Sequence, residues 1–223
     1  MVFLKFAVLF SALVQFLLLF WLFIKKKYNS LAERLFILFI LNGCLYCFFM
    51  FLFMIEIRID FAILKLNIAI YFSSIYILFA LLFSSSLSNN KIGHGKIFYT
   101  VITICFAIYF WNNIVKTIEI GKWGWYPITN PVPTIIQLIF LILGILITCL
   151  NLNNIEKTLE KSKKISLKKR IAYFRYSMFS LCILSFAIVL FNFLNRNKGI
   201  PVIFPAFFFI PSLIMTYALI KKK

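Results

Sequence analysis

Long apolar runs, separated by short clusters of charged and turn-forming residues, set the plan of this chain. Seven runs reach the roughly 20 residues that a helix needs to cross a hydrocarbon core. They cover about 2–24, 31–55, 63–86, 97–115, 132–152, 171–194 and 200–220. The first run has only Lys5 before it and Lys25-Lys26-Lys27 directly after it, with no small-residue cleavage site. That pattern predicts an uncleaved first helix rather than a signal peptide. Between the fifth and sixth runs, Asn151 to about Lys169 is soluble in character. It places Glu156 four residues before Glu160, and Glu160 four before Lys164. This spacing predicts two helices continuing past the bilayer, with a turn near Ser162–Ser166.

Basic residues then orient the pattern. Of the 24 Lys and Arg, 17 fall in the segments after the first, third, fifth and seventh runs. The other seven, Lys5, Arg58, Lys65, Lys116, Lys122, Arg196 and Lys198, fall on the opposite side. Cations near span ends resist translocation, so the richer side is expected to be cytoplasmic. The expectation is an all-α membrane protein: a seven-transmembrane-helix bundle, N-terminus out and C-terminus in, forming one transmembrane domain over residues 1–223. Losing a span would scramble the segregation, so it also supports the count of seven. The expected location is the cytoplasmic (inner) membrane.

Composition agrees. The chain is 63% hydrophobic and 13% charged, with mean hydropathy +0.99, whereas soluble domains are about 25% charged. The net charge of +18 does not indicate nucleic acid, because the cations line span ends and form no separate basic domain. The expected partners are the lipid bilayer, with anionic headgroups on the cytoplasmic side, and a membrane or cytoplasmic protein.

Chemistry-bearing residues are sparse. Cys44, Cys47, Cys105, Cys149 and Cys182 all lie inside apolar runs. The Cys44-x-x-Cys47 pair has no third or fourth ligand nearby, so small apolar side chains are the expectation. His94 is the sole histidine, and the six acids occupy loops or span ends. Metal-dependent hydrolysis needs several ligands on facing helices, and ion-coupled transport needs ionisable residues mid-membrane. No enzyme activity, cofactor or metal is expected. Gln15, Asn42, Asn67, Ser73, Ser74, Gln137, Thr148 and Asn192 are uncharged polar residues inside spans, expected to hydrogen-bond between helices.

The most distinctive stretch runs from Trp111-Asn112-Asn113 through Gly121-Lys122-Trp123-Gly124-Trp125-Tyr126-Pro127 to Pro131-Val132-Pro133. Its glycines and prolines predict a turn-rich hairpin on the outer face, with Pro131 and Pro133 at the start of the fifth helix. Trp123, Trp125 and Tyr126 suit an interfacial aromatic belt. Alternatively, Trp111, Asn112, Trp123, Trp125 and Tyr126 form a ligand-binding lid that offers rigid aromatic surface to a small apolar or amphipathic molecule. Pro201, Pro205 and Pro211 interrupt the backbone ladder of the last span and are candidate hinges.

These motifs carry a resemblance. The Trp-Asn-Asn, the Gly-Trp-Gly-Trp-Tyr hairpin and the Pro-x-Pro helix start resemble the N-terminal seven-transmembrane region of bacterial sensor histidine kinases. Leu167-Lys168-Lys169-Arg170-Ile171-Ala172-Tyr173-Phe174, Gly199-Ile200-Pro201-Val202-Ile203-Phe204-Pro205 and Met215-Thr216-Tyr217-Ala218-Leu219-Ile220-Lys221 resemble its sixth and seventh spans. The resemblance covers about residues 5–220. It implies a non-catalytic, receptor-like sensor or input module for signal transduction. Such regions usually feed a cytoplasmic kinase or cyclase domain, and this chain stops at Lys223, so output through a separate partner is expected. A structural or accessory subunit of a membrane complex is the alternative, and a neutral-solute or lipid transporter is a third reading.

Overall fold

The computed structural model describes residues 2–25, 29–88, 94–121, 124–161 and 165–194, together with 210, 211 and 214. Helices α1 (Val2–Ile24), α2 (Leu31–Ile55), α3 (Ile59–Ser88) and α4 (His94–Asn113) are followed by strands β1 (Val115–Gly121) and β2 (Gly124–Thr129). Helices α5 (Pro131–Lys161) and α6 (Ile165–Leu194) complete the described elements. Four helices among the described residues are long and apolar enough to cross a membrane: Lys5–Ile24, Leu31–Ile55, Ile59–Leu87 and Pro131–Lys161. The apolar part described for α4, Thr100–Phe110, is shorter. Most of the last apolar run, including Pro201 and Pro205, lies outside the described residues.

Local chemistry sets several helix ends. Ser30 starts α2 with a reciprocal capping box. Its hydroxyl accepts from Glu33 N at 3.1 Å, and the Glu33 carboxylate accepts from Ser30 N at 3.0 Å. Two otherwise orphaned donors are satisfied in this way. Pro131 opens α5, where its missing N–H is no loss and its φ is already helical. Asn130, just before it, holds the preceding chain through the Asn113 and Ile114 carbonyls.

Two apolar clusters mark the two ends of the bundle. One joins Val8 of α1 to Met50, Phe53 and Met54 of α2 and Ala62, Leu66 and Ala69 of α3. The other joins Leu18, Leu19 and Leu22 of α1 to Phe36, Phe39 and Ile40 of α2, Tyr76 and Ile77 of α3, Ile145 and Leu152 of α5, and Phe174 and Met178 of α6. Early residues of α1 and α3 thus meet late residues of α2, so neighbouring helices run in alternating directions. Rings order the second cluster: Phe39 stacks on Tyr76 at 4.1 Å, and Phe174 meets Phe36, Phe39 and Phe83 edge-on at 5.2–5.8 Å. Outside the clusters, one side of α1 leaves Phe6, Phe10, Phe16, Leu17, Phe20 and Phe23 exposed. An apolar face of that size is normally covered by lipid or by another chain.

Most of the polar residues inside the spans bond in one of two ways, while the buried Asn67 Oδ1 has no hydrogen-bond partner among the described residues. Gln137 donates to Ser73 Oγ at 3.3 Å and Gln15 donates to Cys47 Sγ at 3.5 Å, both between helices. Asn42, Ser74 and Thr148 instead donate to carbonyls four residues back in their own helices, Leu38, Ile70 and Gly144. The side chain of Asn192 lies outside the described residues. Asn151, at the far end of the α3–α5 seam, donates to both Ser84 and Ser85 at 3.3 Å.

Candidate functional site

The stretch singled out by its aromatic residues folds as an antiparallel β-hairpin. Ile120 pairs with Trp125, Glu119 with Tyr126, Ile118 with Pro127, and Gly121 with Gly124 at the tip. Pro127 has no N–H to give, and a two-stranded sheet accommodates it because each strand has a free edge. An irregularity between Val115 and Thr117 shifts the register and leaves Lys116 exposed while Ile118 turns inward.

Ile118 anchors the hairpin. It is only 4% exposed and belongs to the apolar cluster of α1, α2 and α3, with Val115 packed alongside. The same cluster holds Val8, Phe53 and Leu66. Below it, the base of the hairpin is tied by two asparagines. Asn130 Nδ2 donates to the Asn113 carbonyl at 2.6 Å, and Asn130 N donates to the Ile114 carbonyl at 2.8 Å. Asn113 Nδ2 reaches back to the Tyr109 carbonyl at 2.8 Å, and Thr134 Oγ1 donates to the Asn130 carbonyl at 2.6 Å. The end of α4 and the start of α5 are therefore joined before the strands begin.

Each predicted ligand-binding position has a defined place, except one. Trp111 and Asn112 are in the last turn of α4, and Trp125 and Tyr126 are in β2. These four are placed by their backbone, and their side chains are not among those described. Trp123 lies outside the described residues. Of the candidate hinges, Pro211 is buried, and its carbonyl accepts a hydrogen bond from Ser177 Oγ of α6 at 2.9 Å. Two side chains missed by the sequence pattern, Ile118 and Asn130, attach the hairpin. The only signal for either was the Asn130-Pro131 pair at a helix start.

One turn below the hairpin base, a groove of about 400 Å³ opens between α4 and α5. Val101, Ile102, Cys105, Phe106, Tyr109 and Ile136 line it. The two helices meet beside it through Phe106, Phe110 and Phe140, with ring centroids 5.7–6.3 Å apart. Its size falls within the usual range for small-molecule pockets, and its lining suits an apolar ligand. Among the described residues, no three His, Cys, Asp or Glu side chains come together to hold a metal ion.

A second polar constellation lies at the opposite end. Glu156 of α5 is 6% exposed and faces Arg175 of α6. Arg175 Nη2 donates to Glu156 Oε2 at 3.2 Å, and Nη1 donates to Asn153 Oδ1 at 3.3 Å. Nε is 2.9 Å from Oε1 but is not aligned for a hydrogen bond. The Arg175 guanidinium also sits 5.5 Å from the centroid of the Tyr176 ring. The sequence pattern predicted two helices here in a segment of soluble character, and α5 and α6 are indeed helical. What it did not predict is that they enclose the Glu156 carboxylate between them.

The fold is that of a multi-pass helical membrane protein, carrying a β-hairpin at one end and a charged helical pair at the other. No protein family and no curated protein matches the chain.

Proposed function

We propose that this protein is a non-catalytic membrane sensor or input module with seven spans, N-terminus out and C-terminus in, that signals through a separate partner. The carrying observation is Ile118, which seats the hairpin in the apolar cluster shared by α1, α2 and α3. A molecule that shifts the hairpin would thereby disturb a cluster that three spans share. Trp111, Asn112, Trp123, Trp125 and Tyr126 are the proposed receiving surface, and the apolar groove beneath favours an apolar or amphipathic ligand arriving from the outer leaflet. Pro211 supplies a hinge in the last span, held to α6 by Ser177. Pro201 and Pro205 are the companion hinge positions.

The test is the pair Trp123→Ala and Trp125→Ala, assayed in the native membrane. Sensing predicts that the downstream transcriptional or phosphorylation response changes while membrane abundance stays the same. Reduced abundance with an unchanged response per molecule would make these aromatics anchors of the fold and remove the sensing role.

A further inference from the structure

The α5–α6 pair projects well beyond any bilayer that its other residues would fit. Helix α5 has 31 residues, which at 1.5 Å each span about 46 Å. A hydrocarbon core takes about 30 Å of that, and the headgroups about 5–8 Å more on each side. With Pro131 and the exposed Val132 at one face, the core is crossed near Asn151, where the polar run Asn151, Asn153 and Asn154 begins. Glu156 and Arg175 then lie at headgroup depth. Lys161, Lys168, Lys169 and Arg170 lie about 15 Å past the hydrocarbon.

This projecting part is a built arm. The Glu156–Arg175–Asn153 contacts clamp its base, and Lys168 pairs with Glu160 at 2.8 Å nearer the tip. Clamping uses Glu156 on Arg175 and leaves Glu160 as the remaining acid. Among the described residues from 157 to 170, Lys157, Lys161, Lys168, Lys169 and Arg170 stand against that one acid, and Lys157, Lys161 and Lys169 are exposed. The tip cations stand about one Debye length, roughly 8 Å, clear of the headgroups. The membrane's own anions are therefore largely screened from them. A fixed array of like charge held in solvent is complementary to an acidic protein surface.

We infer that the α5–α6 arm is a docking site for an acidic surface of a separate protein on the cytoplasmic side. The inference rests on the orientation proposed above, and the two fail differently. A reporter fused after residue 162 that is active only outside would overturn the orientation and, with it, a cytoplasmic partner. An arm that lies inside but makes no protein contact would overturn the docking alone.

The experiment uses the full chain in native membranes, with a photoreactive phenylalanine analogue introduced at Thr158 or Leu167. Both positions are exposed and uncharged on the arm. Phe179 and Ile183, exposed on the membrane-embedded part of α6, serve as lipid-facing controls. Docking predicts a discrete protein adduct at 158 and 167, absent at 179 and 183, whose cross-linked partner peptide is rich in Asp and Glu. The combined Lys157→Glu, Lys161→Glu and Lys169→Glu variant should lower its yield roughly tenfold, because like charges then face each other. The corresponding Lys→Arg variant should retain the adduct, which separates loss of charge from loss of fold. Phospholipid adducts alone at 158 and 167, no adduct, or a protein adduct indifferent to charge reversal would each overturn the inference.

Discussion

At Gly144, α3 and α5 meet with no room for a methyl group. A Cβ built there would run into Cγ2 of Ile77, a branch close to the α3 backbone that cannot rotate away easily. Gly144→Ala should therefore destabilise the bundle by about 1–3 kcal/mol through overpacking, measurable as a lower unfolding midpoint in mild detergent. Adding Ile77→Ala should recover part of that loss, and an additive double variant would argue against the contact. Gly43 is a softer case. There a Cβ would meet the flexible end of Gln15, but also the buried Tyr76 ring at 2.8 Å. A second residue-scale test concerns Glu56, in the loop between α2 and α3. The Lys65 ammonium, followed by the Arg58 and Ile57 amides, holds its carboxylate down to about 2 from an ordinary 4.5. A lowered folded pKa means that the stabilisation is fully present above about pH 4.5 and is lost as pH falls through about 2. In Lys65→Met, the Glu56 titration followed by NMR should move up toward 4.5. An unmoved titration would show that the amides alone hold the carboxylate.

Among the elements, the hairpin is attached by Ile118 in the apolar cluster and by the Asn113–Asn130 tie at its base. Ile118→Ala should cost about 2–4 kcal/mol as a large-to-small change in a packed cluster and should expose β1–β2 to protease while leaving the helices intact. Equal protection of wild type and variant would mean that the Asn113–Asn130 tie holds the hairpin without Ile118. The glycines and prolines revealed a hairpin in the sequence. Its strands were hidden, because the irregularity at Val115–Thr117 breaks the two-residue alternation and Pro127 sits where a strand would not be expected. Helices were easier: the apolar runs and the 156–160–164 spacing indicated that α5 and α6 continue past the bilayer, and α5 does reach Lys161. The environment of Glu156 was not legible. Its neighbours in sequence are polar, and its burial comes from Arg175, nineteen residues away on another helix. The sequence spacing paired Glu160 with Lys164, whereas its described partner is Lys168 on α6. Intrahelical spacing indicates which charges can meet, but tertiary packing decides which do.

For the whole molecule, the alternating helix directions bear on orientation. The end that holds Ile118, Phe53 and Val8 collects Lys5, Arg58, Lys65 and Lys116 among the described basic residues. The end that holds Phe36, Leu152 and Phe174 collects Lys25, Arg34, Lys157, Lys161, Lys168, Lys169, Arg170 and Arg175. Packing and charge counting thus sort the described cations into the same two groups. If the richer end is cytoplasmic, reporters active only outside should work when fused after residues near 60, 122 and 197, and should be silent near 28, 92 and 162. Six described helices alternating in direction fix the relation among the first five of these sites, so one inverted pair would require an element to be threaded differently. The fusion near 197 carries the remaining weight, because it alone tests whether α6 itself crosses. Neutralising Lys25, Lys26 and Lys27 should leave the pattern unchanged, since the arm cations remain on the same side. A wholesale inversion in that variant would place orientation with the first helix alone and detach it from the arm.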